Sequence, residues 1–137
     1  MVSFWPNEID EFADLVKDKL FNRRLFISAC NIANERLARS VIPQSGCYSV
    51  IGSYELIRFD CPAMFWSSFY YLAYKDQGLY IKFSRALIIK TLKALTNLYV
   101  INLNYFSIIR TKGIKVSQVR AGKVVSMKME EHFYETA

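Results

Sequence analysis

The sequence predicts one α+β domain: N-terminal helices, a β-hairpin, two further helices and a C-terminal three-stranded antiparallel meander. Three observations lead there. Apolar residues recur at helical spacing in the N-terminal half and again between residues 61 and 99. Runs rich in β-branched and aromatic residues, punctuated by glycine turns, fill residues 99–129. A chain of 137 residues, 53% hydrophobic with only five Gly and three Pro, suits a single packed unit without a long linker.

The first helix is expected in NEIDEFADLVKDKLF, with Asn7 as its cap and Glu8, Asp10 and Glu11 in the positive first turn. Ile9, Phe12, Val16 and Leu20 make its apolar stripe, and the remaining acids read as a solvated face. A second helix is expected over Arg24–Ser40, with Leu25, Ala29, Ile32, Ala33 and Leu37 inward and Pro43-Gln44-Ser45-Gly46 ending it. The two β-rich runs around Gly52-Ser53 then read as a two-residue hairpin.

Asp60-Cys61-Pro62 opens a helix that Gly78 closes, followed by a short strand, LYIKF. Ser84 caps the helix RALIIKTLKALTNL, whose buried stripe is Ile88, Leu92, Leu95 and Tyr99. Three β-type runs complete the chain, with turns at Lys112-Gly113 and Ala121-Gly122.

Charge is segregated along this frame. Residues 1–76 carry eight basic and nine acidic groups, whereas residues 77–129 carry ten basic groups and no acid. The tail then holds three acids, so the net charge is +6. Such asymmetry is informative about partners rather than about fold.

The meander gives the charge a geometry. Pairing across Ala121-Gly122 with Val116 opposite Met127 and Ser117 opposite Ser126 separates apolar from polar residues and sets Lys115 beside Lys128. The same logic at Lys112-Gly113 sets Arg110 opposite Lys115. Arg110, Lys115 and Lys128 are therefore expected as a cross-strand row of cations on the face away from the core. Lys90, Lys93, Lys112, Arg120 and Lys123 are candidates for a wider patch.

Like charges directly opposite one another destabilise a sheet, so an anion is the missing component. Lysines on edge strands also deter aggregation, which is the alternative reading. No phosphate-cradling glycine motif is present, and a phospholipid surface would prefer a basic amphipathic helix. Nucleic acid, DNA or RNA, is the expected partner, with Tyr105 or Phe106 stacking on bases.

The order of elements over residues 62–120, with FSRALIIKTLKALTNLYVI ahead of a strand, a basic turn and a returning strand, is similar to the recognition helix and wing of winged-helix DNA-binding domains. Those domains place a further helix before the recognition helix, where this chain has only Ser84.

Catalysis has little to draw on. His132 is the only histidine and sits in a charged tail, and Glu130 and Glu131 are adjacent and would point apart on a strand. Cys30, Cys47 and Cys61 are odd in number and lack metal-ligand spacing, which points to free thiols in a reducing, cytoplasmic or nuclear compartment. No metal or cofactor is expected, and no stretch reaches the about 18 apolar residues of a membrane span. The expected function is non-enzymatic binding of nucleic acid. The alternative is a small protein-interaction or structural subunit of viral or plasmid type, docking on an acidic protein partner.

Overall fold

The computed structural model describes residues 6–28, 33–55, 61–75, 84–109 and 113–128. They form four helices and one five-stranded mixed sheet. In chain order the elements are α1 (Pro6–Leu15), β1 (Arg24–Ile27), α2 (Glu35–Ser45), β2 (Ser49–Ser53), α3 (Cys61–Lys75), α4 (Arg85–Leu98), β3 (Leu103–Ile109), β4 (Gly113–Arg120) and β5 (Lys123–Met127). The strands lie side by side in sequence order. β1 and β2 run parallel and every other neighbouring pair is antiparallel.

Alternation along the strands divides two cores. Leu25, Ile27, Val50, Phe106 and Val116 point to one face and meet Ile9, Ala13, Leu37, Val41 and Ile42 of α1 and α2. Phe26, Ile51, Leu103, Tyr105 and Val119 point to the other and meet Phe65, Phe69, Ile88, Leu92 and Leu95 of α3 and α4. The sheet is thus the middle of three layers.

Strands β3, β4 and β5 pair antiparallel in order, and the Val116–Met127 and Ser117–Ser126 pairs across Ala121-Gly122 are those expected. Both turn residues have positive φ, 47° at Ala121 and 74° at Gly122, which matches the twist of a tight hairpin. The separate three-stranded antiparallel meander expected from the sequence is not what forms: β1 and β2 join these strands in one mixed sheet of five.

Two expected elements are replaced. Arg24-Leu-Phe-Ile is a strand, and the helix begins only at Glu35, capped by Asn34, whose Oδ1 accepts from the Leu37 N–H at 3.0 Å. The helix then runs through Pro43 and ends at Gly46, whose φ of 78° lets its N–H reach the Ile42 carbonyl. At the chain start, Pro6 is the first helical residue, so Asn7 lies inside α1 rather than capping it.

No hairpin turns at Gly52-Ser53. β2 includes both residues, and all five of its residues are buried. Gly52 serves a close approach: a Cβ there would sit 2.9 Å from the Ile27 carbonyl oxygen and 3.0 Å from the Ala33 Cβ. A parallel neighbour requires a crossover connection, and the one leading into α2 lies against this glycine. Ala33 is held there by its N–H donating to Ser53 O at 3.2 Å and its carbonyl accepting from Asn104 Nδ2 at 2.9 Å.

The strand LYIKF, the closing role of Gly78 and the inward positions of Ala29 and Ile32 fall outside the described residues. Cys30 does as well, and among the described residues Cys47 is a buried free thiol. No helix among the described residues is long and apolar enough to cross a membrane.

Gly52→Ala is expected to destabilise the fold by about 1–3 kcal/mol through the clash with backbone at Ile27. Chemical denaturation measures it; a neutral substitution would mean that Ala33 does not lie against β2. Burial, opposed by a hydrogen bond with Ser45, raises the Cys47 thiol above its ordinary range. The folded state therefore holds the protonated form, and its stabilising contribution is full below the unfolded value of about 8.5 and lost as pH rises above it. Stability should fall in mildly alkaline solution, and Cys47→Ser should flatten that fall. In the native protein at neutral pH, Cys47 should resist thiol reagents.

Candidate nucleic-acid interface

The expected row Arg110–Lys115–Lys128 does not form as drawn. β3 is displaced by three residues against β4, so that Ser107 faces Lys115 and Ile109 faces Gly113. The reason lies in the second helical layer. A sheet covered on both faces needs like partners on both, and this register sets Phe106 beside Val116, Leu103 beside Val119 and Ile108 beside Ile114. Arg110 and Lys112 fall outside the described residues.

A different row takes its place. Following the register across the sheet, Arg24 of β1 stands beside Ser49, Ser49 beside Ser107, and Ser107 beside Lys115. Lys128 follows Met127, the last residue of the β4–β5 ladder, and so continues the row next to Lys115. Cations occupy its two ends and hydroxyls its centre. It runs along one end of the sheet on the α3–α4 face, and Lys115 and Lys128 are exposed.

Beside this row a cleft of about 970 Å³ opens between the sheet and the N-terminus of α4. Arg23, Arg24 and Arg85 line it, with Phe26, Tyr48, Tyr70, Tyr105, Ser84 and Ser107. None of the described residues lining it is acidic.

Arg24 is held in place: one guanidinium nitrogen donates to Tyr105 Oη at 2.9 Å and to Ser49 Oγ at 3.2 Å, and the group lies 5.7 Å from the Tyr48 ring centroid. Arg85 lies 5.2 Å from the centroid of the Tyr105 ring. Both contacts use the attraction between a guanidinium and an aromatic face.

Ser84 caps α4 as the sequence predicts, its Oγ accepting from the Leu87 N–H at 3.1 Å. The first turn contains no acid, and Arg85 stands at its start. A cation there adds to the positive end of the helix dipole, where an acid would ordinarily sit. Helical geometry also leaves the first-turn N–H groups of Arg85 and Ala86 without an acceptor within the helix. All of these features favour an anion in the cleft.

The other candidates are dispersed. Lys90 and Lys93 are exposed on α4, whose opposite stripe of Ile88, Leu92 and Leu95 is buried on the sheet. Arg120 and Lys123 face each other beside the Ala121-Gly122 turn, about 17 Å along β4 from Lys115 at ~3.3 Å per residue. Arg120 also hydrogen-bonds Tyr54, whose hydroxyl is pushed up in pKa by burial and then by Glu55.

Tyr105 and Phe106 are both 1% exposed, on opposite faces of the covered sheet, so neither is placed to stack on a base. Nor is the β4–β5 hairpin a protruding wing. Its turn docks on α4 through the Gly122 N–H, which donates to Thr96 Oγ1 at 3.2 Å, and the strands belong to the five-stranded sheet.

Sequence reasoning missed Arg23, Arg24, Tyr48, Tyr70 and Arg85 as a group. The available signal was Arg85, a cation directly after a serine cap in an acid-free segment. Arg24 of β1 and Arg23 just before it give no such signal while residues 24–40 read as a helix.

Comparison of the chain with protein-family models, with curated proteins and with solved structures finds no match.

Tyr105→Phe removes the acceptor for Arg24 without changing the ring beneath Arg85. It is expected to lower stability by about 0.5–1.5 kcal/mol. Denaturant titration tests this, and an unchanged midpoint would show that Ser49 alone suffices to hold the guanidinium.

Proposed function

We propose that this chain is a non-enzymatic nucleic-acid-binding protein that holds the sugar–phosphate backbone at one end of its sheet. The observation that carries the reading is the cleft. Three arginines line it without an acid among its described residues, and Ser107 on its wall stands next to Lys115, beyond which the register continues to Lys128. Phosphates would meet guanidinium and ammonium groups there, with the hydroxyl of Ser107 between them.

Binding is favoured over catalysis by the chemistry of the lining. Besides the Asn22 amide and Ile108, its described groups are cations, hydroxyls and aromatic rings, with no carboxylate, imidazole or thiol to accept a proton. Burial and the neighbouring Tyr74 raise the pKa of Tyr70, which keeps its phenol protonated near neutrality. Lys90 and Lys93 on α4, and Arg120 and Lys123 at the far turn, extend the positive surface for a longer strand.

Fluorescence anisotropy of a labelled oligonucleotide across a salt series tests the proposal. Replacing Arg23, Arg85, Lys115 and Lys128 by Gln together should flatten the slope of log K against log salt by about 3, at ~0.7–0.9 for each phosphate no longer neutralised. The change should weaken unrelated sequences by similar factors, because phosphate contacts position without specifying. Replacing Lys90 and Lys93, or Arg120 and Lys123, should change the slope by less per charge removed. An unchanged slope in the four-residue variant would overturn the assignment. Binding confined to polyglutamate, with none to the oligonucleotide, would support an acidic protein partner instead.

A further inference from the structure

We infer that the strand taken by this cleft is single, with unpaired bases stacked on Tyr48 and Tyr70. The inference rests on the phosphate-binding reading above and adds the substrate class. Tyr48 precedes β2 and Tyr70 belongs to α3, and the two rings line the same cleft while staying 46% and 40% exposed. Large aromatic rings left in water beside arginines are what a base-stacking surface needs, since every base has an apolar face.

Their settings are already ordered. Tyr70 makes edge-on contacts with Phe26 and Phe69 at centroid separations of 6.0 and 5.4 Å. Tyr48 has the Arg24 guanidinium over its ring. A base arriving on the other face of Tyr48 would complete a stack of cation, ring and base. Rings fixed in this way lose little rotamer freedom on binding.

Duplex is disfavoured by the shape of the site. One cation of the cleft, Arg24, is recessed: it is half-buried and bonded to the hydroxyl of Tyr105, which is 1% exposed at the floor of the cleft. A duplex is stiff over about 150 base pairs and keeps its base faces stacked inside, so it offers neither a strand that can enter a recess nor a ring to meet the tyrosines. A single strand offers both.

The experiment uses the full chain and three labelled probes of equal length: an oligothymidylate, its base-free sugar–phosphate counterpart, and a duplex. The oligothymidylate should bind about tenfold more tightly than the base-free strand, and more tightly than the duplex. Tyr48→Leu and Tyr70→Leu keep an apolar side chain in place. Each should reduce oligothymidylate binding severalfold while leaving the base-free strand unchanged. Equal binding of oligothymidylate and base-free strand, or preference for the duplex, would overturn the single-strand inference and leave the phosphate reading standing. Failure of all three probes to bind would remove both.

Discussion

The structure depends on the close passage of the chain over Gly52. β2 is the strand on which the two halves meet, parallel to β1 on one side and antiparallel to β3 on the other, with every residue buried. A parallel partner requires the chain to leave the sheet and return across it. Here the returning segment touches down at Ala33, so close to β2 that a methyl group on Gly52 has no room. Ala33 is tied to the neighbouring strands by both of its backbone polar groups. Asn104 makes one of these ties from β3, so the N-terminal crossover and the C-terminal meander are held at the same point.

Covering both faces of the sheet decides where charge can go. A side chain in the middle of any inner strand meets a helix, which is why Val116, Ser117 and Val119 are buried on β4, a strand that also carries Lys115 and Arg120. Cations are displaced to strand ends. At one end Arg120 lies beside Tyr54, which Glu55 also influences. At the other, Arg24 and Lys115 flank two serines, and α4 adds Arg85 and the positive end of its dipole. The asymmetry between these ends places the candidate site more sharply than net charge does.

Much of this was legible in the residues, and what was not has physical causes. Local chemistry read correctly: the Ser84 cap, the helix beginning at Cys61-Pro62, and the register across Ala121-Gly122. Failures came where a long-range contact outweighed a local signal. Arg24–Ile27 has helix-compatible residues but finds a strand partner 25 positions away, from Arg24 to Ser49. Gly52-Ser53 resembles a turn, yet the glycine is required by a neighbour in space. The β3–β4 register was misread because one face was taken to be wet. Lys115 and Lys128 were found as neighbours from alternation alone, whereas their companions Arg24 and Arg85 come from elements that only the fold brings together.

The row of Arg24, Ser49, Ser107, Lys115 and Lys128 crosses the strands instead of running along one. Its pitch is therefore the interstrand distance, ~4.8 Å, held by backbone hydrogen bonds and independent of side-chain identity. Three such steps separate β1 from β4, so the anchoring points of Arg24 and Lys115 lie about 14 Å apart. The sheet acts as a ruler. Lengthening a connecting loop leaves those graduations unmoved, and exchanging a serine for a lysine adds charge at a distance already set. The spacing of the charges can thus stay constant while their strength drifts, so, on the proposed reading, variants of this fold would differ in how firmly they hold an anionic chain before they differ in the spacing they match.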